Sequence, residues 1–166
     1  MRLLTLREEL VAFGKKLLSA GLTTGTGGNL SAYDRSCGVI AMTPSGLDYL
    51  KTTPADIVLM DPDGQIIECR ESVRPTSEWE LHLAIYRSRP DVSAVVHTHS
   101  LYATAIACTG SGIRTVHYLA AMGGRSIRCT PYETYGTPEL AQICARTLEN
   151  DHAVLLGNHG VICVGP

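Results

Sequence analysis

The chain is 166 residues long and 45% hydrophobic, a length that suits one domain over residues 1–166 with a real core. Its formal charge of −2 gives no general attraction to nucleic acid or acidic membranes, and no run of about 18 apolar residues is present to span a bilayer. Arg7, Glu8 and Glu9 interrupt the apolar N-terminus, against a signal peptide. The six cysteines (37, 69, 108, 129, 144 and 163) show no Cys-x-x-Cys, so a cytoplasmic protein with reduced, buried cysteines is expected.

In chain order, Leu3, Leu6, Leu10 and Leu17 form a helical stripe that ends at Gly21, a C-cap. Residues 38–42 and 56–60 read as short strands, and Asp61-Pro-Asp-Gly64 as a turn into a third strand at 65–67. Ser77-Glu78-Trp79-Glu80 has the Ser-x-x-Glu form of a capping box and opens a helix that stops at Arg89-Pro90. The apolar stretch from Val92 to Val96 is a strand running into His97 and His99. A helix starts at Ser100, and another at Thr137-Pro138, where Thr caps and Pro takes the first turn. That last helix runs to about Asn150, before the apolar strand Ala153 to Leu156 and the turn Gly157-Asn-His-Gly160. Helices and strands alternating without linker or repeat predict an α/β or α+β layered domain. The order of the strands is left open by this pattern.

Residues two apart on a strand project from one face, so His97 and His99 point the same way, about 7 Å apart along the backbone. His159, in its glycine-rich turn, is placed to add a third nitrogen. Three imidazoles with a fourth position open is the pattern of a catalytic zinc site. An isolated His-x-His fits an ordinary polar strand end equally well, so the surrounding residues decide.

Three loops are candidates for holding an anion: Gly25-Thr-Gly-Gly-Asn29, Thr43-Pro-Ser-Gly46 and Pro75-Thr-Ser77. Glycines let backbone amides approach a ligand, and free amides at a helix start favour phosphate. Each loop alone also reads as a plain turn or a cap, and none matches a P-loop or dinucleotide fingerprint. Glu78 sits in the first helical turn beside the third loop. There it serves either the helix dipole or, if the turn faces a metal, proton transfer to a bound substrate. Only three lysines exist, at 15, 16 and 51. The first two belong to the solvated side of the N-terminal helix, so no desolvated lysine is evident for Schiff-base chemistry.

Together these segments resemble the class II aldolase/adducin-head family. The motifs that carry the likeness are Gly25-Thr-Gly-Gly-Asn-Leu-Ser31, Thr43-Pro-Ser-Gly46, Thr76-Ser-Glu78, Ser88-Arg-Pro-Asp91, Val95-Val-His-Thr-His99, His117-Tyr118 and Asn158-His-Gly160. Their order covers nearly the whole chain, and the nearest likeness is to the fuculose-phosphate aldolase branch. The resemblance implies a central, mainly antiparallel sheet flanked by helices. It implies one Zn²⁺ per subunit held by His97, His99 and His159, with Glu78 as the acid/base. Asn29, Ser45, Gly46, Thr76 and Ser77, with Thr26 in the same loop, would hold the phosphate of a small sugar phosphate. Tyr118 would reach the site of a neighbouring subunit in a homotetramer, whereas read locally it is a packed interface aromatic. His82, His117 and His152 match no ligand position and are expected to be structural.

The implied reaction cleaves a ketose 1-phosphate of the L-fuculose 1-phosphate type to dihydroxyacetone phosphate and an aldehyde such as L-lactaldehyde. Within the family, L-ribulose-5-phosphate 4-epimerases resemble this chain but carry Asp where it has Glu78. A methylthioribulose-1-phosphate dehydratase stays open, and adducin-type interaction heads lack the histidine triad. Family members also continue past the position of Pro166 into C-terminal helices, so this sequence is expected to lack that cover.

Overall fold

The computed structural model describes residues Met1–Pro166. In chain order it contains α1 (Leu4–Ser19), β1 (Asn29–Asp34), β2 (Val39–Met42), β3 (Val58–Met60) and β4 (Ile66–Glu68). These are followed by α2 (Trp79–Ser88), β5 (Ala94–Thr98), α3 (Leu101–Ala107), β6 (Ile113–Arg114), β7 (Ser126–Cys129), α4 (Pro138–Leu148), β8 (Ala153–Leu156) and β9 (Gly160–Gly165). The strands join in the order β4-β3-β2-β1-β5-β9-β8-β7-β6. Every pairing is antiparallel except β7 with β8. The mainly antiparallel sheet expected from the resemblance is therefore present, as a mixed sheet within an α/β fold.

Strand alternation decides how the helices sit. Ile40, Met42, Val58, Met60, Val95 and Ile162 face one side, where they share a core with Leu81, Leu83 and Ile85 of α2 and with Leu140, Cys144 and Leu148 of α4. Val39, Ala41, Ile57 and Leu59 face the other side, against Leu10, Val11 and Leu17 of α1. Leu155 and Val161 meet Ala107 of α3. Residues directly opposite in an antiparallel pair share a face. Since His97 lies opposite Ile162 and Asn29 lies opposite His97, the first histidine and Asn29 open toward α2. Each fully buried Leu or Ile of α2 contributes roughly 1.5–3 kcal/mol through removal from water, so this helix is firmly seated against the face that carries the histidines.

Most of the expected elements form, and the differences are local. Glu78, not Ser77, occupies the N-cap of α2, and it makes no side-chain cap hydrogen bond. The expected capping box is therefore absent, and Ser77 is exposed. The helix starts at Trp79, one residue too late for that box, so Ser77 precedes the cap and Glu80 is only the second helical residue. Thr137 does cap α4, accepting from the Leu140 amide, with Pro138 in the first turn. The expected strand at 56–60 begins only at Val58, because Pro54–Asp56 closes a 3-10 turn held by reciprocal Thr53 and Asp56 hydrogen bonds. All six cysteines are free, but only Cys144 is buried, while Cys37, Cys108 and Cys163 are exposed. No helix is long and apolar enough to cross a membrane.

Candidate active site

His97 ends a strand and His99 follows one step beyond it, so both rings leave the sheet on the α2 side. The third histidine arrives through the β8–β9 turn. Leu156 pairs with Gly160 across that turn, and Asn158 takes a left-handed conformation, φ 53, that Asn tolerates better than most residues. Gly160 has no side chain for a simple reason. A Cβ there would lie 2.5 Å from the Thr98 carbonyl oxygen, 2.9 Å from the His99 ring and 3.1 Å from the His97 ring. Gly160→Ala is therefore expected to push the two rings apart. Overpacking of this kind typically costs about 1–3 kcal/mol. Thermal unfolding combined with zinc titration would check it, with weaker metal uptake expected even where the fold persists.

The three imidazoles converge. Their candidate ligand nitrogens all lie within 4.8 Å of one another, and the Nε2 atoms of His97 and His99 are 2.9 Å apart. His97 is fully buried, and its Nδ1 lies 3.1 Å from the Val161 carbonyl oxygen. That acceptor fixes the proton on Nδ1 and leaves Nε2 as a bare lone pair, the arrangement that outer hydrogen bonds impose on metal-ligating histidines. Burial pushes the His97 pKa well below its ordinary value, and the neighbouring His159 and His99 add to the effect. Burial also lowers His159, partly opposed by Glu78. Both rings are thus favoured in the neutral form that a metal requires.

Glu78 enters from the N-terminus of α2 and closes the group. Its Oε2 lies 3.3 Å from His97 Nε2, and its Oε1 lies 3.5 Å from His159 Nε2. The residue is buried, and Oε1 has no hydrogen-bond partner; neither does the buried Nδ1 of His159. Unpartnered buried polar atoms are costly. Their concentration between three imidazoles fits a site built to take a cation and a polar substrate. The donor set, three imidazoles beside one carboxylate, suits a zinc-like ion with an open position.

The three anion loops meet at the same place. Residues 43–46 are laced to residues 74–76 by main-chain bonds from Ser45 to Arg74 and from Thr76 to Thr43. The Tyr49 hydroxyl donates to the Gly28 carbonyl at 2.8 Å and pins the glycine loop. That loop runs tight against the histidine strand, since a Cβ at Gly28 would lie 2.5 Å from the His97 carbonyl oxygen. The result is one polar cavity of about 390 Å³ lined by Thr26, Asn29, Ser45, Gly46, Thr76 and Ser77, together with Glu78, His99 and His159. His97 lies buried beside it. A groove of about 440 Å³ between α1 and the opposite sheet face is apolar and holds no histidine.

Tyr118 is not among the residues that line its own chain's cavity. It sits in the 3-10 turn Tyr118–Gly123, 76% exposed, with its ring against His117. Two residues reach the site that were not expected there. Tyr135 lines the cavity because the loop before α4 packs on the third anion loop, where a Cβ at Gly136 would lie 3.0 Å from the Ser77 carbonyl oxygen. His82 touches Asn29 from below. Its position four residues after Glu78, on one helical face, was the available clue.

Comparison with known proteins agrees with this geometry. The family model described as "Class II Aldolase and Adducin N-terminal domain" matches residues 8–166. A 5-deoxy-D-ribulose 1-phosphate aldolase of Bacillus thuringiensis serovar kurstaki is 49% identical over 94% of this chain and 72% of its own length. A 5-methylthioribulose-1-phosphate/5-deoxyribulose-1-phosphate aldolase of Rhodospirillum rubrum is 42% identical over 98% of this chain and 72% of its own. A solved L-fuculose 1-phosphate aldolase superposes with a TM-score of 0.94 at 43% identity, covering 97% of this chain and 75% of that one. The metal-competent histidine cluster, the fold and these relatives converge, and the chain belongs to the class II aldolase family, as a carbon–carbon lyase of sugar-phosphate metabolism.

Proposed function

We propose that this enzyme is a zinc aldolase that splits a ketose 1-phosphate between C3 and C4 into dihydroxyacetone phosphate and a short aldehyde. The observation that carries the reading is the meeting of three histidines, one buried carboxylate and three anion loops around one cavity. In this reading His97, His99 and His159 hold one Zn²⁺ per chain, which when bound acts as a Lewis acid on charge developing at the substrate oxygens. Thr26, Asn29, Ser45, Gly46, Thr76 and Ser77 hold the phosphate and so orient the reacting carbons. As the C3–C4 bond breaks, its electron pair stays on C3, and Glu78 delivers the proton that C3 then takes. In the condensation direction the ionised Glu78 takes the C3 proton, and the Tyr118 hydroxyl of a neighbouring subunit gives its proton to the aldehyde oxygen. In cleavage the tyrosinate takes the C4 hydroxyl proton while protonated Glu78 gives one to C3, and solvent resets both groups.

The relative at 49% identity favours 5-deoxyribulose 1-phosphate as substrate, with acetaldehyde as the second product. L-Fuculose 1-phosphate, giving L-lactaldehyde, is the second reading and is supported by the 43% identical structure. We read residues 1–166 as one aldolase domain acting in a cytoplasmic homotetramer. The exposed Val116, Tyr118, Leu119 and Met122 form an apolar surface of the kind that subunit contacts cover.

Product analysis on a panel of sugar phosphates tests the reading, with metal-loaded and chelator-treated enzyme side by side. Dihydroxyacetone phosphate is expected from the ketose 1-phosphates, with the highest kcat/KM for 5-deoxyribulose 1-phosphate. Chelation should abolish the activity and zinc should restore it. Turnover of L-ribulose 5-phosphate to its epimer, or loss of water from methylthioribulose 1-phosphate, without triose release would overturn it in favour of an epimerase or a dehydratase. No turnover by metal-loaded protein would leave a binding head of the adducin type.

A further inference from the structure

His82 is fully buried on α2, and no step of the reaction described above uses it. It stands in the middle of an unbroken chain of polar contacts. The Tyr86 hydroxyl lies 2.7 Å from Ser31 Oγ, and Ser31 Oγ lies 2.6 Å from His82 Nδ1. His82 Nε2 lies 2.5 Å from Asn29 Oδ1, and Asn29 Nδ2 donates to Glu78 Oε2 at 2.9 Å. Donor and acceptor rules allow one consistent assignment with Glu78 ionised. A carboxylate only accepts, so the Asn29 amide must present its NH₂ to Glu78 and its oxygen to His82. His82 therefore carries its proton on Nε2 and accepts from Ser31 at Nδ1, and Ser31 accepts from Tyr86. Burial pushes His82 down to about 3, in keeping with a ring that holds a single proton.

We propose that His82 is a positioning residue for the proton-transfer step. It locks the Asn29 amide in the one flip that donates to Glu78 Oε2, and so holds the unpartnered Oε1 beside His159 at the wall of the cavity. The proposal rests on the reading of Glu78 as acid/base. The register explains why the contact is possible: Asn29 opens β1 opposite His97, and α2 presents Glu78 and His82 one turn apart on the face that meets it. Without the imidazole, the amide can rotate and offer its oxygen toward the carboxylate, which repels it. A carboxylate misplaced by a fraction of an ångström then transfers protons poorly. Asn29 also lines the cavity and has a second Nδ2 proton free of Glu78.

The test separates positioning from packing by using two polar replacements. His82→Gln brings an amide nitrogen to the position of Nε2 and restores the bond to Asn29, whereas His82→Asn reaches only the position of Nδ1. Exchange of solvent deuterium into dihydroxyacetone phosphate reads proton transfer alone. It is measured in zinc-loaded enzyme, together with metal content, melting temperature, kcat and KM. His82→Asn is expected to lose about 10–100-fold in exchange and kcat, the range typical of removed outer-shell partners, with KM and bound zinc within about threefold of the starting enzyme. His82→Gln should stay within about threefold throughout. Wild-type exchange in folded, zinc-loaded His82→Asn would overturn the proposal while leaving Glu78 as the base. Equal losses in both variants, in step with a lowered melting temperature, would overturn it in favour of packing. Wild-type exchange in Glu78→Gln would remove the base assignment, and this proposal with it.

Discussion

His97→Ala is expected to empty the metal site and to abolish aldol cleavage in the same variant. The other two candidate ligands have some freedom: His99 is exposed and His159 partly so. His97 has none, because it is wholly buried and is oriented by the Val161 carbonyl. Losing an outer partner of a metal-ligating histidine costs roughly 10–100-fold in affinity or activity, so losing the ligand itself should exceed that. The substitution also takes away the imidazole that lies 3.3 Å from Glu78 Oε2, so any ion left on the other two histidines would lack its buried, pre-oriented ligand. The strand itself should survive, since Val95, Val96 and Thr98 still pair with β9. Elemental analysis of purified protein, with circular dichroism as the control for folding, gives the result. A folded His97→Ala protein that carries one zinc per chain and cleaves substrate would remove the histidine triad from the mechanism.

What could be read from the sequence follows physical lines. α4 was legible because period and caps agree, and α1 because its apolar stripe runs to Gly21, which takes a left-handed conformation. The strand before His97 was legible because it is an uninterrupted apolar run. By contrast, no strand was expected at β1, where Asn29, Ser31 and Tyr33 are polar or aromatic. The strand pairs with β2 and β5, and its Ser31 hydroxyl is satisfied by His82 and Tyr86, a long-range contact that no local pattern announces. The short β6 and β7 are only partly buried, and at two and four residues they carry too little of an alternating pattern to stand out. At the site, residue types and spacing singled out the three histidines, the three loops and Glu78. The inward turn of Glu78, the late start of α2 and the approach of Tyr135 depend on how α2 and the segment before α4 pack. Those choices are made by the tertiary structure.

Glu78→Gln should keep zinc and phosphate binding while slowing proton exchange at C3 of dihydroxyacetone phosphate by about 10²–10⁴-fold, the range of a lost general acid/base. The amide preserves the shape of a side chain that is almost wholly buried, but it cannot shuttle the proton. Near-normal deuterium incorporation by this variant would rule Glu78 out as the base. The same variant also probes whether sites are shared. Tyr118 is exposed and is absent from its own chain's cavity, so if it acts, it acts on a neighbour across a head-to-tail interface. Tyr118→Phe and Glu78→Gln are each expected to be nearly inactive, yet mixing them and reassembling the subunits should recover activity. At equal proportions in a random cyclic tetramer, about one interface in four joins an intact Tyr118 to an intact Glu78. Recovery should therefore approach a quarter of the unmodified enzyme. Demonstrably mixed tetramers without recovery would mean that each chain completes its own site, and Tyr118 would lose its assigned role.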